Sequence, residues 1–298
     1  MMTEPGPARL AAAQPAPAFD PEQLAAQAWF QSLRDSLCAA FERLEDEGTG
    51  PLPAGRFERT AWDRPDASGD PGGGGVMSVM KGRVFEKVGV NTSTVFGAFA
   101  PEFAKSINGA EGDPRFFATG ISLVAHMANP HVPAVHMNTR FLVTTKRWFG
   151  GGADLNPALP VAADTAAFKA AFEATCDAHG ADYWDRYSKW CDEYFFVPHR
   201  NRHRGVGGIF YDHLEGDFAA NLAFTQDVGR TLLDVFPTLV RRHMADPFTD
   251  SDRAAQLRYR GLYAEFNLVY DRGTTFGLKT GGNVDAILMS LPPLARWD

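Results

Sequence analysis

Two neighbouring segments of the sequence concentrate side chains that bind anions or transfer protons. In residues 121–127 and 135–144, polar and apolar residues alternate in a β-like pattern. Because successive side chains of a strand point to opposite faces, each segment would have one polar and one apolar face. The polar faces would carry a hydroxyl, two imidazoles, an amide and a guanidinium, from Ser122, His126, His136, Asn138 and Arg140.

This polar face has two interpretations. One face of an antiparallel sheet is often solvated, and polar alternation is then expected without any function. A solvated face, however, usually carries Lys, Glu and Thr, whereas this set is rich in groups that bind carboxylates or exchange protons. The pattern alone leaves a solvated face and a functional face both open.

A second cluster of the same chemistry lies at residues 199–204, where three arginines and two histidines occur in six residues of an acidic protein. It leads into Gly205, Gly207 and Gly208, which would let backbone approach a ligand closely. Arginine forks pair bidentately with carboxylate or phosphate, so the cluster indicates an anion site. The alternative is a solvated loop that neutralises acidic residues elsewhere.

The composition limits the classes of protein to consider. The chain has 298 residues, 45% of them hydrophobic, and a net charge of −7. This predicts a globular protein and gives no support to binding of nucleic acid or of an anionic membrane. There is no apolar run of transmembrane length. Cys38, Cys176 and Cys191 lie far apart, which favours a reducing, cytoplasmic compartment over a disulfide framework.

Common cofactor motifs are missing from the sequence. No Lys-Ser/Thr pair follows the glycine run at 72–75, and the glycines at 205–208 do not complete a dinucleotide fingerprint. There is no H-E-x-x-H and no G-x-S-x-G. His199 and His203 would have metal-ligand spacing only in a helix, which the preceding Pro198 disfavours. We therefore expect no nucleotide, flavin or zinc site of these kinds.

The elements that must position these residues indicate an α+β protein. Residues 1–19 are predicted to be a disordered Pro/Ala-rich tail, and Asp20 and Gln23 to cap a first helix. Regular βαβ alternation is absent, so we expect a large, mainly antiparallel sheet flanked by helices on both sides, in one domain at 20–298. The predicted strands are 76–81, 84–90, 121–127, 135–144, 208–214, 263–270 and 274–278, and the predicted helices are 164–179, 183–194 and one through Leu222 and Phe236.

An ordered series of motifs makes the chain recognisable. It carries Gly-Val-Asn-Thr-Ser at 89–93, His-Met-Asn-Thr-Arg at 136–140, Trp-Phe-Gly-Gly-Gly at 148–152 and related motifs at 189–196, 199–201, 204–212, 265–274, 280–283 and 287–293. Over almost its whole length beyond residue 22, the chain resembles the oxygen-dependent coproporphyrinogen III oxidases. The resemblance implies a cytoplasmic homodimer that converts two propionates of coproporphyrinogen III to vinyl groups. Dioxygen is the co-substrate, no organic cofactor is required, and carbon dioxide and hydrogen peroxide are released.

Matching motif to motif, the resemblance also implies roles for individual residues. His136 would be a proton donor, Asp212 would face the pyrrole N–H groups, and Arg140 would hold a propionate near the reacting ring. Arg200 and Arg204 would anchor the carboxylates that are retained. Further substrate contacts fall on Ser122, Asn138, Thr139, Gly281, Gly282 and Asn283, and proposed metal ligands fall on His126, His136 and His199.

Two departures from the family pattern bear on these assignments. Lys169 stands where the family commonly has another histidine, and a protonated amine repels a cation. A divalent metal is therefore compatible with the sequence but not required. Asn283 stands where many members have Arg, which weakens the substrate contact there. The segment 263–298 is the expected dimer contact, with Phe266, Leu268 and Tyr270 on one face of a predicted strand.

Two other functions would use the same residues. A non-catalytic carrier of tetrapyrroles or other polyanions would need the arginines but not His136 or Asp212. A mononuclear metal hydrolase would use His126, His136 and His199, and its activity would follow bound metal. Peroxide release distinguishes an oxidase from a carrier.

Overall fold

The first helix begins where its capping residues predict. In the computed structural model, which describes residues 18–66, 69–279 and 281–298, the Asp20 carboxylate accepts from the Gln23 N–H, and the Gln23 side chain accepts from the Asp20 N–H. This capping box starts a 27-residue helix. The Phe19 ring packs edge-on against Phe96 and Phe117. Packing thus starts inside the predicted tail, whose residues 1–17 lie outside the described residues.

One antiparallel sheet organises the described chain. The strands are β1 (Glu58–Pro65), β2 (Pro71–Met80), β3 (Phe85–Ala98), β4 (Arg115–Met127), β5 (Ala134–Val143), β6 (Arg147–Asn156), β7 (Phe196–Val197), β8 (Arg202–His203) and β9 (Gly208–Leu214). Seven of them pair antiparallel in the order β1-β2-β3-β4-β5-β6-β9, and β7 and β8 form a separate two-stranded hairpin. The predicted antiparallel α+β architecture is confirmed.

Helices cover both faces of this sheet. They are α1 (Pro21–Glu47), α2 (Pro101–Ala104), α3 (Ala162–His179), α4 (Tyr183–Tyr194), α5 (Phe218–His243), α6 (Asp250–Val269), α7 (Arg272–Lys279) and α8 (Val284–Leu288). On one face, α1, α3 and α5 bury the main apolar core, which includes Phe41, Leu123, Met137, Phe168 and Leu232. On the other face, the segment from α6 to the loop after α8 contacts the strands, as in the 2.9 Å hydrogen bond between His126 Nε2 and the Ser290 carbonyl. No helix in the described ranges is long and apolar enough to cross a membrane.

Two strands of this sheet, β1 and β6, were not predicted. Strand β6 contains Gly150, Gly151 and Gly152, and glycines weaken the sequence signal of a strand because they lack the side chains that favour it. The glycine run 72–75, expected to precede a strand, lies within β2. Pairing with neighbours on both sides stabilises these glycine-rich segments as strands. A third difference is length: β3 extends to Ala98, well beyond the predicted end at residue 90.

The two strands predicted near the C-terminus are wrong. Residues 263–270 belong to α6 and residues 274–278 belong to α7. Helix α6 starts at a Thr249–Asp252 capping box and buries residues three or four apart, but several of these are polar, which hides the helical stripe: Gln256, Arg260, Tyr263, Phe266 and Asn267. Consequently Phe266 is buried and Leu268 is exposed, whereas a strand would have put both on one face.

Candidate active site

The polar face predicted for β4 and β5 is present. The register pairs Ser122 with Asn138 and Val124 with His136, and β3 continues the first row with Asn91 opposite Ser122. The opposite face, including Ile121, Leu123 and Met137, is buried in the core. The Asn91 side chain donates to the Ala286 carbonyl at 2.8 Å, so this face is partly covered by the C-terminal segment. It is therefore not simply a solvated side of the sheet.

A cavity of about 620 Å³ lies on this polar face. The sheet forms its floor, and α7, α8 and residues 103–108 contribute walls. This volume is within the range of sites that enclose a small organic molecule. The predicted site residues that line it are Ser122, His136, Asn138, Thr139, Arg140, Arg204, Asp212, Gly282 and Asn283.

Arg140 and Asp212 form an ion pair on the cavity floor. Arg140 Nη2 lies 2.8 Å from Asp212 Oδ2, with 29% and 13% of the two side chains exposed. Asp212 Oδ1 accepts from the His213 N–H at 3.0 Å, and Arg140 Nη1 donates to Asn138 Oδ1 at 3.3 Å. The sequence named both residues but did not predict that they pair. Because both ions reach the cavity, either can exchange part of this pairing for a ligand.

Gly150 makes that pair possible. It lies in β6, between the strand of Arg140 and the strand of Asp212, and it pairs directly with Arg140. A Cβ atom at Gly150 would lie 2.5 Å from Asp212 Oδ1 and 2.9 Å from Arg140 Nη2, too close for either to stay. The missing side chain lets the two ions meet across β6. The Trp-Phe-Gly-Gly-Gly motif was the sequence signal for this position, but it suggested no role.

His136 is held by a buried carboxylate that the sequence analysis did not identify. Its Nδ1 donates to Asp154 Oδ1 at 2.8 Å, and Asp154 pairs with it across β5 and β6. Arg204 Nη2 donates to the same carboxylate oxygen at 2.7 Å, and Asn156 donates to the other at 2.9 Å. A carboxylate on Nδ1 fixes which ring nitrogen carries the proton and leaves Nε2 for proton transfer.

The Asp154–Arg204 ion pair is enclosed, with only 1% of each side chain exposed. Burial by itself would raise the pKa of Asp154, but Arg204 and His136 outweigh it and lower that pKa to about 2. The guanidinium also lies over the Phe195 ring, 4.0 Å from its centroid, and donates to Asn267 Oδ1 at 3.0 Å. Asp154 is therefore an anion at neutral pH, and Arg204 is fully engaged.

In the structure both predicted carboxylate anchors form ion pairs with carboxylates of the protein itself. Arg204 borders the cavity, but its guanidinium is engaged with Asp154 and Asn267 and only 1% of the side chain is exposed. Arg200 makes a two-point ion pair with Glu265, with its Nε 2.8 Å and its Nη2 2.5 Å from the carboxylate oxygens. Arg200 is not one of the described residues that line the cavity. Sequence proximity in the 199–204 cluster did not bring these arginines to one site, because β8 and the loop after it turn Arg204 inward and leave Arg200 at the surface.

The three histidines proposed as metal ligands do not come together. His126 is fully buried, and burial lowers its pKa to about 3. Both ring nitrogens of His199 are engaged, with Tyr270 at 2.8 Å and Glu265 at 2.7 Å. Across the described ranges, no group of three His, Cys, Asp or Glu side chains could hold a metal ion. These residues do not fit a shared metal centre. The Nζ of Lys169 would lie 3.2 Å from a Cβ atom placed on Gly207.

The remaining predicted substrate contacts differ in whether their side chains can reach the cavity. Thr139 is fully buried on the core face, so only its backbone can reach the cavity. The side-chain Oδ1 of Asn283 caps α8 by accepting from the Ala286 N–H at 2.9 Å, which occupies part of the side chain. Gly282 lines the cavity, but Gly281 does not appear among its described lining residues.

Arg272 lines the cavity although the sequence did not predict it as a site residue. Its Cζ lies 5.0 Å from the centroid of the Tyr194 ring. It has no carboxylate partner in the described part of the chain.

Together these features define an α+β protein whose antiparallel sheet carries an enclosed small-molecule site. Arginines and a carboxylate-oriented imidazole face one cavity, a combination suited to an acidic substrate that gains or loses protons. Comparison with known proteins identifies the family. The coproporphyrinogen III oxidase family model matches residues 25–298, and the chain belongs to this family.

Curated relatives agree over nearly the whole length. An oxygen-dependent coproporphyrinogen-III oxidase of Rickettsia bellii (strain RML369-C) is 56% identical over 272 residues, which are 90% of this chain and 96% of the relative. The protein of the same name from Rickettsia rickettsii (strain Sheila Smith) is 55% identical over 273 residues, 91% of this chain and 96% of the relative. One from Rickettsia peacockii (strain Rustic) is 54% identical over the same length.

Proposed function

We propose that this protein is an oxygen-dependent coproporphyrinogen III oxidase, which converts two propionates of coproporphyrinogen III to vinyl groups and yields protoporphyrinogen IX. The observation that carries the proposal is the placement of the Arg140–Asp212 pair and the Asp154-bound imidazole of His136 around one cavity. The names of the relatives, at more than half identity, support the same reaction.

Each of the two steps is a two-electron oxidation by dioxygen. One propionate and one dioxygen give one vinyl group, one carbon dioxide and one hydrogen peroxide. The bond between the carboxyl carbon and the adjacent α-carbon breaks, and a C=C bond forms between the α-carbon and the β-carbon, which is attached to the pyrrole. The substrate loses one hydrogen from the carbon attached to the pyrrole and the carboxyl proton, and both leave in the peroxide. Two electrons pass to dioxygen, so atoms and charges balance without another oxidant.

The residues on the cavity floor suit this chemistry. An ionised Asp212 is only an acceptor and retains lone pairs for a pyrrole N–H beside its contacts to Arg140 and His213. Withdrawing that proton would make the ring more electron-rich and more reactive toward dioxygen. Arg140 can bind the carboxylate of the reacting propionate, and Arg272 can bind another. His136, with Nδ1 fixed on Asp154, can deliver or remove a proton at Nε2.

We propose that dioxygen is the co-substrate and that neither an organic cofactor nor a metal is required. A porphyrinogen is already rich in electrons, so the protein needs to position it and exclude water. The engagement of both His199 nitrogens by Glu265 and Tyr270 supports the metal-free form.

One assay tests the reaction. Purified protein is mixed with coproporphyrinogen III, and protoporphyrin fluorescence after oxidation and released peroxide are measured with and without dioxygen. We expect turnover and about one peroxide per vinyl group only with dioxygen. Anaerobic turnover at the aerobic rate contradicts the oxidase, and binding without turnover or peroxide indicates the carrier.

A separate experiment tests whether the reaction requires a metal. After exhaustive chelation and metal analysis, we expect the aerobic rate to be largely unchanged. If activity disappears and returns with a stoichiometric divalent ion, the metal-free form of the proposal is wrong, while the oxidase assignment stands.

We propose further that the protein is a homodimer that uses its C-terminal segment. Several large apolar side chains are exposed along this segment. Single exposed apolar residues are common on protein surfaces, but such a concentration marks an interface. They are Leu268, Val269, Leu278, Val284, Leu294 and Trp297. A second copy would bury them.

A point substitution tests the dimer better than a deletion. The Ser290 and Leu291 carbonyls accept from His126 and Lys87, so removing 284–298 would also open the cavity. Leu268→Asp should give a folded monomer by analytical ultracentrifugation, while Leu24→Asp, at an exposed site in α1, should not change the mass. A dimer that survives Leu268→Asp together with Val269→Asp places the interface elsewhere.

A cytoplasmic location is part of the proposal. Cys38, Cys176 and Cys191 are all buried free thiols, which suits a reducing compartment. Burial raises the pKa of Cys38 to about 11, so this thiol is protonated and unreactive at neutral pH.

A further inference from the structure

The cavity extends well beyond its reacting end. One cross-strand row runs from β1 to β6, with each residue paired to the next: Trp62, Gly75, Ser93, Gly120, Arg140 and Gly150. Four of its members, Trp62, Ser93, Gly120 and Arg140, line the cavity. Four strand spacings separate Trp62 from Arg140, about 19 Å at the usual spacing of paired strands. Most residues between them have little or no side chain, so the floor is open. A reacting propionate at Arg140 leaves the Trp62 end for another part of the substrate.

Trp62 lies flat on the floor at this far end. A Cβ atom at Gly75, its neighbour in β2, would lie 2.7 Å from Cζ2 and 2.9 Å from Cε2 of the indole. The ring therefore lies over the bare backbone of Gly75, and Trp62 lines the cavity. The glycine run 72–75, which matched no phosphate-binding motif, makes room for this ring.

A guanidinium accompanies the indole. Arg64, two residues further along β1, also lines the cavity, and only 7% of it is exposed. Its Cζ lies 5.8 Å from the centroid of the Phe116 ring, and Phe116 stacks on Phe99 at 4.0 Å. This aromatic packing limits the movement of the guanidinium. A restrained arginine beside a flat aromatic ring suits a ligand that combines a ring with a carboxylate.

We propose that Trp62 and Arg64 form a second subsite, which holds the side of the porphyrinogen that is not reacting. The indole packs against a pyrrole ring, and the guanidinium binds a carboxylate that the reaction leaves in place. The subsite rests on the proposed function for its ligand. It lies apart from Arg200 and Arg204, the carboxylate anchors that the sequence predicted, which pair with Glu265 and Asp154. These contacts would be the same in the bound substrate and in the transition state, so the subsite contributes uniform binding of the macrocycle.

Kinetics of Trp62→Leu and Arg64→Gln test the subsite. Because these residues contact parts of the substrate that do not change in the reaction, we expect KM to rise about tenfold with kcat within about twofold. Trp62→Phe keeps an aromatic face and should recover most of the loss. Trp29→Leu is the matched control, because Trp29 is a half-buried tryptophan on α1, outside the cavity lining in the described ranges. It should leave KM unchanged.

Binding of coproporphyrin, the oxidised macrocycle that cannot react, gives a readout independent of turnover. Its dissociation constant, from fluorescence titration, should rise about tenfold in Trp62→Leu and in Arg64→Gln, but not in Trp29→Leu. If Trp62→Leu does not fold, as judged by circular dichroism, Arg64→Gln decides. Unchanged KM and unchanged affinity in a folded variant overturn the subsite. Failure of the wild type to turn over coproporphyrinogen III would refute the proposed function instead, and the titration would still test the subsite.

Discussion

Two arginine–carboxylate pairs have their carboxylates on neighbouring strands, Asp154 on β6 and Asp212 on β9, and their shortest N–O distances differ by only 0.1 Å. Arg204 lies 2.7 Å from Asp154 and Arg140 lies 2.8 Å from Asp212. Their surroundings differ completely. The first pair borders the cavity through Arg204 but is buried under the rings of Phe195, just after α4, and Phe266 of α6, with 1% of each side chain exposed. The second pair has 29% and 13% of its side chains exposed and faces the cavity.

This difference separates two uses of the same chemistry. A sealed pair cannot exchange partners, because an unpaired charge in its place would be very costly. It fixes the charge of Asp154 and, through it, the orientation of His136. A pair that reaches the cavity can give up contacts to a substrate carboxylate or pyrrole N–H. Ion-pair distance alone therefore does not identify a ligand-binding arginine; the exposure of the pair does.

The largest expected effect comes from breaking the sealed pair. Arg204→Met leaves Asp154 buried without its cation, and we expect a loss of about 3–5 kcal/mol in the free energy of unfolding. Urea denaturation followed by circular dichroism measures it. Arg200→Met is the matched control, because this arginine pairs with Glu265 at the surface and should cost less than about 1 kcal/mol. Equal losses would show that burial does not distinguish the pairs.

Breaking the open pair should affect activity and not stability. Asp212→Asn removes the negative charge next to the substrate, and we expect kcat/KM to fall about 10²- to 10⁴-fold with little change in urea midpoint. Glu215→Gln, three residues further along, removes a carboxylate that does not line the cavity in the described ranges and should retain activity. If Asp212→Asn loses fold and activity together, the open pair is structural too.

The pH dependence of stability tests the burial of His126, which is hydrogen-bonded to the Ser290 carbonyl. His126 has a pKa of about 3 in the folded protein, because burial disfavours its charged form, against about 6.5 when unfolded. The unfolded chain therefore takes up the proton first, and stability falls as the pH drops from 6.5 towards 3. Between pH 7 and 5 the loss is about 2 kcal/mol.

His126→Gln should flatten that part of the pH profile, whereas His203→Gln, at an exposed histidine, should leave the slope intact. Thermal unfolding measured across this pH range gives the comparison. A full slope in His126→Gln would assign the acid sensitivity to other groups.

The smallest expected effect comes from Asn267, which links the buried Arg204–Asp154 pair to Ser290 in the cavity wall. Asn267 accepts from Arg204 at 3.0 Å and donates to Ser290 at 3.0 Å. Asn267→Ala leaves Arg204 free to shift, which displaces Asp154 and His136, and we expect kcat to fall about tenfold with KM little changed. Asn221→Ala removes a buried amide in α5 that donates to Leu214, and it should lower stability without lowering kcat. Equal kcat values in the two variants would exclude a positioning role for Asn267.

Much of the fold follows from local sequence pattern. The Asp20 cap, the alternation in β4 and β5 and the helical spacing of α3, α4 and α5 are local signals, and the structure confirms the elements they predict. Strand β6 was missed because its stability comes from pairing on both sides. Helix α6 was mistaken for a strand because its buried face carries Gln256, Arg260 and Asn267, which satisfy partners elsewhere in the fold.

The sequence by itself determined the family, the α+β class and the polar face of β4 and β5, because motif order and side-chain alternation depend only on residues close together in the chain. It did not determine which arginines reach a ligand. Arg140, Arg200 and Arg204 have the same charge and the same hydrogen-bonding geometry, and their roles depend on partners far away in sequence: Asp212, Glu265 and Asp154. Only the tertiary structure brings those partners close and decides which pair is excluded from water.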